Sequence, residues 1–156
     1  APHYQHSIVG YNYRLSNVCA GIGRGQMEVI DQRVAERRAN HEFYKNIFKN
    51  QEGVELFTEP SEDYQSNHWL NAIIIHPENT GNKERELWRL AFAEENIESI
   101  PLWKPMHLQP LFADKMYFGV NIAETLFNNG LCLPSGSNLT DDDKEKIYKV
   151  IKKLIK

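Results

Sequence analysis

The stretch His68-Trp69-Leu70-Asn71-Ala72-Ile73-Ile74-Ile75-His76 decides the fold class. It is rich in β-formers, too short for a stable helix of its own, and closed by the turn signal Pro77-Glu78-Asn79-Thr80-Gly81. We read it as a central strand. Outward from it, Val54-Glu55-Leu56-Phe57 and Ile97 to Ile100 are short strand candidates, and Leu131-Cys132-Leu133 is a short buried strand closed by Pro134. Helical patterns separate them. Val18 to Phe48 carries an apolar stripe of Met27, Ile30, Val34, His41, Tyr44, Ile47 and Phe48 at three- and four-residue spacing, and Ser16 and Asn17 are good N-cap residues. A second helix is expected after Asn82 as cap, with Asn96 as a left-handed stop, and a third over Ile122 to Asn128. The last is expected after Thr140, with three aspartates at its positive end and lysines at its negative end. The fold class is therefore α/β in its two-layer α+β form, helices packed on a small sheet.

The bulk numbers exclude several classes of function. A chain of 156 residues with 21 acidic and 18 basic side chains has a net charge of −3, without the basic footprint of a nucleic-acid or anionic-membrane binder. Apolar runs such as Ala72 to Ile75 fall far short of the roughly 18 residues a membrane span needs. No charged start followed by an apolar stretch marks a secretory signal. The opening Ala1-Pro2-His3 lacks an initiator methionine, so an upstream segment is expected to have been removed. Cys19 and Cys132 lie in apolar surroundings and read as two buried free thiols in a reducing cytoplasm.

Residue chemistry proposes little directly. His3 and His6 are half of a metal site without third and fourth ligands, so no metal is assigned. Neither cysteine adjoins a cation that would make it a nucleophile. Gly21-Ile22-Gly23-Arg24-Gly25 imitates a phosphate loop without a strand before it; glycines there break the helix early or admit another backbone, as at an interface. Two segments spend polar and aromatic residues where a structural loop needs few. In Gly10-Tyr11-Asn12-Tyr13-Arg14, an amide and a guanidinium two residues apart can both donate to an oxyanion. In Trp103-Lys104-Pro105-Met106-His107, a histidine between prolines is a preorganised polar group for a sugar hydroxyl or carboxylate. On spacing alone the plainer reading is favoured, with Asn12 capping a turn, Arg14 in a surface ion pair and His107 filling a loop.

Three motifs, in order, carry a resemblance. Val9-Gly10-Tyr11-Asn12-Tyr13-Arg14-Leu15-Ser16-Asn17 through Gln26-Met27, then Pro101 to Pro110, then Leu131-Cys132-Leu133-Pro134-Ser135 resemble the DegT/DnrJ/EryC1/StrS aminotransferases over nearly the whole chain. The resemblance implies the C-terminal small domain of a fold type I transferase dependent on pyridoxal phosphate (PLP). Residues 1–17 would be an interdomain, active-site loop, and 18–156 a single small domain starting with a long helix. It implies transfer of an amino group, with glutamate as donor, to a nucleotide-linked keto-sugar in glycan synthesis. It also places the PLP-binding lysine upstream of Gly10; no lysine occurs before Lys45, so no catalytic residue is assigned and the chain alone is expected to be inactive.

By the same resemblance Asn12 would reach across a homodimer interface to the phosphate of PLP. Arg14 would lie at the substrate entrance or in an ion pair shaping it, and His107 and Trp103 would line the sugar pocket. The N-terminal loop and the start of the long helix would form the dimer contact, leaving apolar surface around Tyr11 and Tyr13 on the chain alone. Ile100 departs from the arginine that relatives often carry before Pro-Leu-Trp-Lys-Pro, which removes an expected anion contact. A non-catalytic binding or dimerisation module with the same fold is the alternative.

Overall fold

The computed structural model describes residues 3–155. Its elements are α1 (Asn17–Met27), α2 (Ile30–Phe48), β1 (Val54–Leu56), β2 (Asn71–Ile75), α3 (Arg85–Glu94), β3 (Ile100–Pro101), α4 (Ile122–Asn129), β4 (Gly130–Leu133) and α5 (Asp141–Leu154). The four strands form one antiparallel sheet in the order β1-β2-β4-β3. The isoleucine-rich stretch is thus an inner strand, with Ile75 opposite Val54 on one side and Ile73 opposite Leu131 on the other.

Period-two alternation sorts that sheet into faces. Ile73, Ile75, Leu131 and Leu133 join Tyr44 and Phe48 of α2, Trp88 and Phe92 of α3, and Ile147, Val150, Ile151 and Leu154 of α5 in one buried cluster. Ile74 and Cys132 alternate to the other face and are buried as well. The antiparallel sheet with helices against it is the two-layer α+β arrangement read from the sequence. Asn96 stops α3 in the left-handed region at φ 56°, as expected. Thr140 closes a capping box with Asp143 at the start of α5.

Several local expectations are corrected. The single helix expected from Val18 to Phe48 is two, broken at Glu28–Val29 and not at the glycines. Gly21, Gly23 and Gly25 stay helical because each costs only up to about 1 kcal/mol relative to alanine. Asn82 is not a helix cap. It sits at φ 59° in the turn, and α3 begins three residues later, at Arg85, with Glu84 as its N-cap. The strand expected over Ile97 to Ile100 starts only at Ile100, because Ile97 N–H still bonds Phe92 O to close α3. Pro101, without an N–H, is tolerated because β3 is an edge strand. Cys19 is exposed, since α1 buries no residue of this chain; only Cys132 is the buried thiol expected.

Candidate functional site

The segment before α1 has no regular secondary structure, and its side chains from Tyr4 to Ser16 are exposed. Within it, Asn12 Oδ1 accepts the Arg14 N–H at 2.9 Å, and Arg14 takes a left-handed backbone at φ 75°. A non-glycine residue held there costs about 1–2 kcal/mol, and an Asn side chain bonding two residues on is the device that stabilises such a turn. The turn-capping role open to Asn12 is therefore real. It uses the carbonyl oxygen and leaves the Nδ2 donor of this exposed residue without a hydrogen bond among the described residues. Arg14 makes no ion pair among the described residues, so its guanidinium is unspent. Ser16 then caps α1 by accepting the Cys19 N–H.

The second segment, after β3, is shaped by its prolines. Pro105 leads a single 3-10 turn, Met106–Leu108, and Gln109 is held extended ahead of Pro110, which starts another, Pro110–Phe112. His107 is pinned from two sides. Its Nε2 meets Glu124 Oε1 of α4 at 2.9 Å, and Tyr117 stacks on the ring at a centroid distance of 3.8 Å. A carboxylate only accepts, so Nε2 carries the proton and Nδ1 is the nitrogen left for a ligand. Trp103 stands half exposed at 46%, whereas the His107 side chain is 16% exposed. Ile100 pairs with Cys132 as a half-buried sheet residue.

No hydrogen bond or ion pair joins Asn12 or Arg14 to Trp103 or His107 among the described residues. The two segments are joined lower down, through a residue that the sequence reading missed. Gln109, only 2% exposed, accepts the His6 N–H at 2.8 Å and donates to Tyr4 O and Lys104 O at 3.2 Å each. Leu111 N–H adds a bond to His6 O, and Lys104 Nζ approaches Gln5 Oε1 at 3.5 Å. Glu124 was missed as well. The signal available for Gln109 was a polar residue locked before a proline, between Leu108 and Pro110; for Glu124 there was none beyond its place on a short helix.

A separate polar cluster lies under α2. His41 Nδ1 donates to Asn71 Oδ1 at 2.8 Å, since the Asn71 amide nitrogen is already given to Ser135 Oγ. The His68 ring stacks on His41 at 3.6 Å and 8°, with its Nε2 3.1 Å from Glu59 Oε1. Burial, and secondarily the charge of His41, holds the His68 imidazole below the usual histidine range, while Glu59 pulls the other way. His41, Glu59 and His68 offer ligating atoms within 4.8 Å of one another. Near-parallel rings, however, aim their nitrogen lone pairs side by side and not at one point, and the Arg38 guanidinium lies 3.5 Å from the same carboxylate. That geometry does not converge the three groups on one point, as a tetrahedral cation requires. His3 and His6, the pair weighed from sequence, are used otherwise. His3 meets the Phe127 ring edge-on, and His6 bonds through its backbone.

The comparisons with known proteins agree with one another. The family model of the DegT/DnrJ/EryC1/StrS aminotransferases matches residues 1–152. A Bacillus subtilis protein, EpsN, whose name assigns it to the pyridoxal phosphate-dependent aminotransferases, is 43% identical over 155 residues, covering 97% of this chain and 39% of its own. GDP-perosamine synthase of Escherichia coli O157:H7 is 33% identical over 139 residues, covering 89% of this chain and 36% of its own. Among solved structures, Helicobacter pylori PseC, an aminotransferase of pseudoaminic acid biosynthesis, superposes with a TM-score of 0.77 at 21% identity, over 95% of this chain and 39% of that one. DesI, solved with its TDP-sugar product, gives a TM-score of 0.79 at 20% identity, over 90% and 36%. At such identities the structural likeness speaks for the fold. The chain spans about two fifths of the length of the curated relatives it matches.

Proposed function

The chain belongs to the DegT/DnrJ/EryC1/StrS aminotransferase family, and on that premise we propose that it is the C-terminal small domain of a PLP-dependent sugar aminotransferase. In this reading residues 1–17 are the loop that enters the active site and 18–156 the small domain. The whole enzyme moves an amino group from glutamate to a nucleotide-linked keto-sugar, in glycan or polysaccharide synthesis. Relatives named as GDP-perosamine synthases support a nucleotide-linked sugar as acceptor. A cytoplasmic setting belongs to the proposal, and two free cysteines are compatible with it. Among the described residues no helix is long and apolar enough to cross a membrane.

The observation that carries the reading is the Asn12–Arg14 turn. It holds an amide donor and a guanidinium, both without partners among the described residues, on an exposed and locally strained backbone. That donor set fits the phosphate of PLP, for which Asn12 is the candidate contact and Arg14 its neighbour. Bound PLP supplies an electron sink for the amino-transfer chemistry. This chain's share is to hold donors at its edge. His107, braced by Glu124 and Tyr117, presents Nδ1 to a sugar hydroxyl, and Trp103 offers an apolar face beside it. Exposed Tyr11, Tyr13, Leu15, Val18 and Ile22 on the loop and α1 support a homodimer contact through this region.

The test pairs two samples, the chain of residues 1–156 alone and the full-length protein that carries it. Each is incubated with PLP and reduced with borohydride, and modified peptides are identified by mass. Each is also assayed with glutamate and nucleotide-linked keto-sugars. The expected result is a lysine adduct outside residues 1–156, with turnover only in the full-length protein. A stoichiometric adduct on a lysine of this chain, or turnover by it alone, refutes the reading. A full-length protein that dimerises but neither binds PLP nor turns over supports a non-catalytic module in its place.

A further inference from the structure

The two halves of the candidate site lie about 90 residues apart in the sequence, and one buried amide lies between them. Gln109 spends one lone pair of Oε1 and both Nε2 hydrogens on backbone groups of Tyr4, His6 and Lys104. The orientation of that amide is dictated by its partners. An N–H must meet oxygen and two carbonyls must meet NH2, so the flipped amide would set its oxygen against both carbonyls. Pro110 fixes the backbone before it in the extended region, at φ −69° and ψ 135°, which aims the side chain. His107, two residues earlier, shares the same proline-framed loop and is braced on Glu124. On the other side, the segment held by Gln109 is otherwise exposed. Asn12 lies six residues beyond His6, so this anchor confines it to within about 20 Å.

We propose that Gln109 is a positioning residue that registers the Asn12–Arg14 turn against the Trp103–His107 pocket wall, and that through this register it sets the affinity for the acceptor sugar. The inference rests on the proposed function for its second half only. Without the amide, the Tyr4 and Lys104 carbonyls and the His6 N–H lose their buried partner. Water then replaces Gln109, and the segment is left on the loop by the longer Leu111 N–H bond to His6 O and the exposed Lys104–Gln5 contact alone, so it loosens. The pocket wall itself stays, because Glu124 and Tyr117 hold it independently.

The experiment uses the full-length protein with Gln109→Met, which keeps the shape and removes every hydrogen bond. His6→Pro serves as a second variant, removing one of the same bonds from the exposed side, where folding is not at stake. Hydrogen exchange is followed by peptide. Residues 4–15 are expected to exchange about tenfold faster in Gln109→Met and less so in His6→Pro, with β2 and β4 unchanged. Steady-state kinetics at saturating PLP are expected to show the acceptor KM raised about fivefold or more, with kcat within about twofold. A residue that merely stabilised the fold would not give that split. Unchanged exchange over residues 4–15 in both variants overturns the proposal, and so does loosened exchange with an unchanged acceptor KM. A wild-type protein that transfers no amino group sinks the proposed function instead, and exchange then judges the anchor by itself.

Discussion

Replacing Gly130 by alanine tests whether the sheet and the pocket loop are packed as tightly as the structure requires. Gly130 ends α4 and begins β4, with ordinary extended dihedrals, so the demand for glycine is steric and not conformational. A Cβ built there lies 2.1 Å from Leu102 Cδ1 and 2.4 Å from Leu126 O. The leucine can rotate away. The carbonyl cannot, because it accepts the Gly130 N–H in closing α4. Restoring ordinary contact therefore moves β4 from α4 by about 1 Å, an overpacking strain that costs about 1–3 kcal/mol. For a chain of this size the melting temperature should fall by roughly 3–10 °C, read by circular dichroism. The displacement also reaches the site, since Leu102 N–H bonds Gly130 O at 3.1 Å and Trp103 follows directly. A Gly130→Ala variant melting within about 1 °C of wild type would refute the reasoning, because it would mean that the contact is not made.

Three further outcomes are expected. Because the His68 imidazole is held below the ordinary histidine range mainly by burial, the unfolded chain takes up its proton first. Stability is then complete above about pH 6.5 and is lost as pH falls through the lower folded value. Urea midpoints should drop between pH 7.5 and pH 5.5, and His68→Asn, which tolerates the left-handed φ of 48°, should flatten that drop. A thiol reagent should modify exposed Cys19 quickly in the native chain and Cys132 only on unfolding, since burial pushes the Cys132 thiol up to about 11; equal rates would contradict the packing of β4. Gly23→Ala, whose added Cβ meets nothing within 4 Å, should gain up to about 1 kcal/mol of local helix stability, visible as slower exchange in α1 with no change in melting temperature of the chain. If the same substitution weakens dimerisation of the full-length protein, the glycine is explained by a backbone approach from outside this chain.

The sheet and the last helix were legible because their signals are local and redundant. Three consecutive isoleucines, a proline-led turn and an apolar stripe with opposite charges at its ends each point one way. The break at Glu28–Val29 has no such signal. No glycine or proline stands there, and Met27 and Ile30 continue a helical stripe. Both are exposed in this chain, so their apolar character answers to something that the sequence pattern cannot distinguish from core. Asn82 and Ser16 are both good cap residues by type, yet only Ser16 bonds the helix it precedes; where the turn ends decides the matter, and that depends on packing. Of the site, the residue types were legible and their anchoring was not. Gln109 and Glu124 acquire their roles from partners 103 and 17 residues away.

That division bears on what the site can bind. Asn12 spends its oxygen on Arg14, and His107 spends Nε2 on Glu124, so the groups left over are not those a residue list would suggest. What remains unpaired among the described residues is the Asn12 amide nitrogen, the Arg14 guanidinium and the Trp103 indole N–H, three donor groups, against a single acceptor at His107 Nδ1. A donor-rich edge is complementary to phosphates and sugar oxygens and poorly suited to a cationic or amine ligand. On the proposed function, the carboxylates of the amino donor glutamate are complementary to the same edge as the phosphates. Substituting Arg14 should accordingly weaken the anionic ligands of the proposed enzyme, the cofactor phosphate and glutamate, more than a neutral sugar, read as separate affinities in the full-length protein; equal affinities in variant and wild type would refute it.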